Sequence, residues 1–382
     1  VANNNKAIYI VIFLGMLCNQ QVQSVFVQKL SVLDFVKKFP DTQLLHSSGK
    51  LFFDFGKHPL FEYDTNKSIV TNDIFLDSFI ITVPRGTVTI ASIDFYPIVN
   101  NCFITEMKLK FEEPFGDLSN VKIPPIPLRI NGRVAVVSNM YEFCYFHWIN
   151  DLVSKLALLE LHGIEYDYIC IPQYKPYMKE TLELWGIASH KIIHAFVGMH
   201  IQADEIIIPT AVSTISSNAI FGNYMQPMIM HCIRNKMIPN ALEQSQNNFS
   251  SKVFISRKDS GNKRVALNED DVFRLFEAQG FSRYCLAEMP LADQIALFHS
   301  ATEIVSFHGA GLTNIIFCKP NTRIIEIFQK HFDVSYWGFS KMLQLRYDLI
   351  DATQGKLLSN MFHPSEILSL DLVENFLKNK YL

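Results

Sequence analysis

Net charge is nearly absent from this chain: 34 Lys+Arg stand against 37 Asp+Glu, a formal −3 over 382 residues. A protein built mainly to hold nucleic acid needs a cationic footprint, so no nucleic-acid partner is expected. Cysteine is sparse, with 7 residues and no C-x-x-C pair. That excludes a disulfide-dense mini-protein, a zinc ribbon and a thioredoxin-like motif. No G-x-x-x-x-G-K-[ST], G-x-S-x-G or H-E-x-x-H occurs. A P-loop, an α/β-hydrolase nucleophile elbow and a zincin helix are therefore excluded. His190 and His194 flank Lys191-Ile192-Ile193, which reads as strand, so they do not form a helix-face metal pair. What is abundant is apolar bulk: 49% hydrophobic residues, with 31 Phe and 14 Tyr. That excludes a disordered chain and allows a large core. The length accommodates two globular domains or one large α/β domain.

Beyond the N-terminal region no segment reaches 18 uninterrupted apolar residues, so no further membrane span is expected. Lys6 precedes the apolar run Ala7 to Cys18. As a helix this run spans roughly 18 Å, short of the ~30 Å bilayer core. It has the length of a signal-peptide h-region, and Val22-Gln23-Ser24 offers a cleavage site. Residues 1–24 thus read as a signal or anchor segment, with secretory-pathway localisation and a membrane contact through this end. The competing reading is a buried first strand, since Ile8 to Phe13 are good strand formers, and it implies a cytoplasmic protein. Asn66-Lys67-Ser68 and Asn248-Phe249-Ser250 are N-glycosylation acceptors in polar stretches. Cys170, in an apolar strand pattern, reads as a buried thiol.

Residues 25 to about 130 read as strands and loops, including Ser78 to Val83 and Thr87 to Ala91. From Arg133 the rhythm changes. The run Arg133 to Val137 is a buried strand pattern, and Phe146 to Leu161 reads as a helix stopped at Gly163. Strand and helix then alternate through Tyr168 to Ile171, Tyr177 to Trp185, Lys191 to Ala195 and Glu205 to Pro209. The polar stretch Asn240 to Ser251 reads as a linker. A second series follows: strand Lys252 to Ser256, helix Glu269 to Gln279 capped by Asn268, strand Arg283 to Ala287, helix Ala292 to Ser300, strand Glu303 to Phe307. A helix beginning at Ala310, strand Arg323 to Ile327 and a last helix from about Ser365 to Leu377 complete it. Such alternation implies an α/β fold with parallel strands, in two halves that leave a cleft between them. The expected division is a leader over 1–24, a β-rich extension with a first α/β unit over 25–240, and a second α/β unit over 252–382.

The sharpest motif is His308-Gly309-Ala310-Gly311-Leu312-Thr313-Asn314, after an apolar strand. Glycines let a backbone approach a phosphate, and a helix N-terminus supplies N–H groups and positive partial charge. The dinucleotide fingerprint is incomplete, and the alternative is a tight turn with packing glycines. Arg257, Lys258, Lys263 and Arg264 follow the strand Lys252 to Ser256. Arginines at the C-terminal end of a parallel strand lie where α/β ligands bind and can clamp phosphate bidentately. The alternative is a solvated basic loop. His147, at a strand-to-helix junction, is a candidate general base; packing at the helix start is the competing role.

These residues together resemble glycosyltransferase family 61. His147-Trp148 and the following helix resemble the family's upstream segment. Ile255-Ser256-Arg257, Arg264, Asn268-Glu269, Gly280-Phe281, Gln294, the His308 to Asn314 string and Ile325-Glu326-Ile327 match it in type and order. The resemblance covers about residues 130 to 350, and residues 25–130 match nothing. It implies a GT-B-like fold, two Rossmann-like domains facing a cleft, and inverting transfer of GlcNAc or a pentose from a nucleotide-sugar. A UDP-sugar is the implied co-substrate and a glycan or glycoprotein hydroxyl the acceptor. On this resemblance His147 is the base, with Glu142 and Asp151 as weaker candidates. Arg257, Arg264, His308, Gly309, Ala310, Gly311, Thr313 and Asn314 face the donor, and Glu326 its ribose. No D-x-D occurs, so no metal site and no required cofactor are expected. The competing function is a catalytically inactive relative that binds glycans or nucleotide-sugars. A nucleotide-binding oxidoreductase is disfavoured, because the fingerprint is incomplete and no acidic residue ends a clear second strand at the right distance, Glu326 standing only 15 residues after Gly311.

Overall fold

A computed structural model describes residues 23–25, 27–48, 51–57, 70–75, 77–91, 96–105, 121–137, 144–171, 175–210, 213–215, 223–260, 266–328, 333–352 and 367–381. The apolar run at 7–18, Asn66, Glu142, Lys263 and Arg264 lie outside the described residues. The chain is a mixed α/β protein with two large sheets. In the first, Ile192–His194, Tyr168–Ile171, Leu128–Val136 and His200–Pro209 run parallel in that spatial order.

The long strand His200–Pro209 joins the early β-rich region to this sheet. Its first part pairs antiparallel with Thr87–Ala91 and its second part with Ser78–Pro84. Tyr96–Val99, Cys102–Ile104 and Gln28–Leu30 continue one edge, and Gln43–Ser48 pairs with Ser78–Pro84. The β-rich residues thus extend the sheet of the first α/β unit.

The second sheet is wholly parallel, in the order Ser282–Tyr284, Lys252–Ile255, Glu303–Phe307, Arg323–Phe328, Arg346–Asp351. Numbered along the chain this order is 2-1-3-4-5. The direction of winding reverses between Lys252–Ile255 and Glu303–Phe307, and ligands of open α/β sheets bind at the carboxyl ends of such a pair. The fifth strand, Arg346–Asp351, and the helix Ser335–Met342 before it lie beyond the elements expected from sequence.

Strand alternation divides the core. Val134 and Val136 face one apolar cluster of the first sheet, and Ala135 and Val137 face another. The latter cluster continues through Leu156, Leu182, Ile233 and Ile295 to Val253 and Ile304 of the second sheet. One helical layer is therefore shared by both sheets. Its centre is the helix Pro227–Gln244, which packs on Leu291–Ser300, Ser154–Leu161 and Pro176–Trp185. This corrects the expected linker: Asn240 to Gln244 close a helix, and the connection is only 245–251.

Three smaller expectations also change. The strand expected from Arg283 to Ala287 is Ser282–Tyr284, followed by a 3₁₀ turn at Leu286–Glu288. Asn268 places no side-chain cap on the helix Glu269–Glu277. Its amide instead donates to the Leu368 carbonyl at 2.8 Å and accepts from the Leu368 N–H at 2.9 Å, tying in the C-terminal segment. The last helix is Leu370–Tyr381. Among the described residues no helix is long and apolar enough to cross a membrane. Cys170 is buried and outside any disulfide.

Candidate active site

The helix expected from Phe146 to Leu161 is not uniform. It starts as Tyr145–His147, widens into a π-helical segment at Trp148–Val153 and returns to α-helix at Ser154–Leu161. Such π segments recur at functional sites, because they reset the register of the side chains that follow. Here the segment buries Asn150 and Asp151, and buried polar groups require partners. Asp151 Oδ2 lies 2.7 Å from His147 Nδ1, and Asn150 Nδ2 donates to Asp151 Oδ1 at 2.8 Å. The Asp151 side chain is 1% exposed and that of His147 26%. A buried carboxylate thus orients a half-buried imidazole.

Across the molecule, the turn after Glu303–Phe307 carries His308 to Gly311, and a 3₁₀ helix, not an α-helix, spans Ala310–Phe317. Each glycine here has a steric reason. At Gly309 a Cβ would fall 1.1 Å from Arg257 Nη1. At Gly311 it would meet Leu286 Cδ1 at 3.0 Å. Arg257 therefore crosses the turn at Gly309, where no side chain stands in its way, and its Nη1 donates to the His308 carbonyl at 2.7 Å.

Glu269 supports this loop. Its carboxylate accepts from the Ser256 hydroxyl at 2.5 Å and the Arg257 N–H at 2.9 Å. The strand ends at the winding reversal thus bring Arg257 and the glycine turn into contact. Lys258 is spoken for differently: its ammonium meets Asp270 at 2.6 Å, and Arg283 meets the same carboxylate at 2.5 Å. Hydrogen bonds from these cations hold Asp270 down at about 2.

His308 is buried, and its Nδ1 lies 2.5 Å from Glu326 Oε1. The Tyr347 hydroxyl donates to Glu326 Oε2 at 2.6 Å. Burial pushes the Glu326 carboxyl up to about 8, while the Tyr347 bond pulls it the other way. Both oxygens of Glu326 are engaged inside the protein and the residue is 1% exposed, so a ribose has little access to it. Thr313 and Asn314 are fully buried. Asn314 accepts from the Tyr145 hydroxyl at 2.5 Å and donates to Gln294 Oε1 at 3.0 Å.

Two histidine–carboxylate pairs thus face one region. Phe146 stacks edge-on to His147 at 5.2 Å and to Tyr336 at 6.0 Å, and Tyr336 lies 5.2 Å from His308. Tyr145, Tyr336, Tyr347 and the role of Glu269 were not visible from sequence. Each is an ordinary residue in an ordinary element until its neighbour from a distant strand or helix is placed.

Residues 145–325 match the family described as glycosyltransferase 61. The match takes in a little under half of the chain. The matched segment spans both sides of the site, from Tyr145 to Ile325, and includes the His147–Asp151 pair, Arg257 and the glycine turn. The chain is also similar to a beta-1,2-xylosyltransferase of Arabidopsis thaliana, with 45% identity over 47 residues, which is 12% of this chain. The matched segment spans 9% of that relative's length.

Proposed function

We propose that the chain is a glycosyltransferase of GT-B-like architecture, moving a sugar from a nucleotide-sugar to a glycan or protein hydroxyl with inversion. One observation carries this reading: Arg257 lies across Gly309 at the winding reversal of the second sheet, and the 3₁₀ helix that follows this turn packs on the helix segment that carries His147. The donor diphosphate is assigned to Arg257 and the backbone of the glycine turn, where cation and N–H groups offset the charge of the leaving group. The acceptor is assigned to the His147 side. Asp151 holds Nδ1, leaving the base role to Nε2. The acceptor oxygen attacks the anomeric carbon as its proton passes to His147. The bond from that carbon to the diphosphate oxygen breaks, and its electron pair leaves with the nucleoside diphosphate. A pentose donor is favoured by the name of the Arabidopsis relative, with GlcNAc next. Transfer without an essential metal, and a place in the secretory lumen, belong to the same proposal.

The test is release of UDP from UDP-xylose, UDP-arabinose and UDP-GlcNAc by protein lacking residues 1–24, with and without EDTA. Turnover that survives EDTA is the expected outcome. A folded sample that binds these donors without turning any over would replace the enzyme with a binding relative.

A further inference from the structure

We propose that Asn314, with Tyr145 and Gln294, is a positioning residue that sets the distance between the base and the donor turn, not a ligand of the donor. The inference rests on the glycosyltransferase reading above. It begins from a chain of hydrogen bonds whose direction is fixed throughout. Gln294 Nε2 donates to the carbonyls of Leu286 at 2.9 Å and Met289 at 3.0 Å. Two carbonyls can be met only by the amide nitrogen, so Gln294 Oε1 must face Asn314. Asn314 then presents its nitrogen to Gln294, at 3.0 Å, and its oxygen to Tyr145, at 2.5 Å. Burial pushes the Tyr145 phenol upward, so it stays protonated and donates. Donor meets acceptor at each of these contacts, and neither amide can flip without losing bonds at both ends.

The elements joined are those that matter for transfer. Tyr145 opens the helix of His147, and Asn314 lies in the 3₁₀ helix that begins at the Gly309 turn. Gln294 braces the Leu286–Glu288 turn, whose Leu286 packs against Gly311. Asn314 is 0% exposed, with both polar atoms of its side chain used inside the protein. The separation of nucleophile and electrophile is where small displacements are most costly to an in-line reaction.

The test uses near-isosteric variants in the full chain. Asn314→Asp replaces the nitrogen facing Gln294 Oε1 by an oxygen, and Tyr145→Phe removes only the hydroxyl. Each should lower kcat roughly 10- to 100-fold, the range that a displacement near the reacting atoms produces. UDP affinity and donor KM should stay within about 2-fold of wild type, and the double variant should lose no more than the worse single, as members of one network do. Weakened UDP binding with kcat retained would make Asn314 a donor ligand and overturn the proposal, as would unchanged kcat in both variants. If wild-type protein transfers no sugar, the glycosyltransferase reading fails separately. Hydrogen exchange at 286–289 then decides: faster exchange in both variants upholds the brace, and unchanged exchange overturns it.

Discussion

Gly309 lies in extended backbone, with φ 165°, which any residue adopts, so conformation does not explain it. Proximity does: Gly309→Ala would place a methyl on Arg257 Nη1. The flexible side chain can move and the turn can keep its path, so the fold should survive while the cation is displaced. Calorimetric titration with UDP should show affinity reduced about 10-fold or more, as expected when a charge-assisted phosphate contact is lost. Glu326 supports a second prediction at this scale. Its carboxyl is raised from an ordinary 4.5 to about 8 by burial, so the folded state holds a proton that the unfolded chain releases near 4.5. Stability from this group is complete below about 4.5 and falls as pH rises to about 8. Glu326→Gln should flatten that part of a plot of Tm against pH; an unchanged slope would assign the pH dependence elsewhere.

Elements were legible from sequence where their hydrophobic period was clean, and less so where a neighbour decided their form. The strands Lys252–Ile255, Glu303–Phe307 and Arg323–Phe328 follow from apolar runs between turn residues. The π segment at Trp148–Val153 does not, because the same apolar face fits a regular helix. Nor does the 3₁₀ form of Ala310–Phe317, whose Thr313 and Asn314 are buried against other elements. The helix Ser335–Met342 shows how closely such elements meet. A Cβ at Gly338 would sit 1.9 Å from Cε1 of the fully buried Tyr224. Gly338→Ala should therefore cost about 1–3 kcal/mol through overpacking, measured by urea unfolding, despite alanine's better helix propensity. A stabilised variant would show that Tyr224 can repack.

For the whole molecule, the shared helical layer couples the two sheets into one apolar core. The short connection 245–251 runs along this assembly and is held by Asn247 Nδ2 to Asp293 Oδ2 at 2.8 Å and Ser250 N–H to Tyr284 Oη at 2.9 Å. Asn248 between them is exposed, while Phe249 and Ser250 of its acceptor triplet are half-buried. Expression through a eukaryotic secretory route should therefore give a species that loses about one glycan's mass in Asn248→Gln, read by mass spectrometry. Lack of occupancy in a secreted sample would count against the lumenal placement.

The sequence by itself determined the α/β class, the alternation of strands and helices, and the His308 to Asn314 string and Arg257 as the residues to watch. Those follow from local period and from which residue types can approach an anion. Only the tertiary structure decided the strand order that puts Arg257 against Gly309, the sheet that absorbs the early β-rich residues, and the partners of Glu326, Asp151 and Asn314. Strand order and buried polar pairing are contacts between residues far apart in the chain. No local pattern encodes which of several compatible neighbours will be met, and packing of the shared core selects among them.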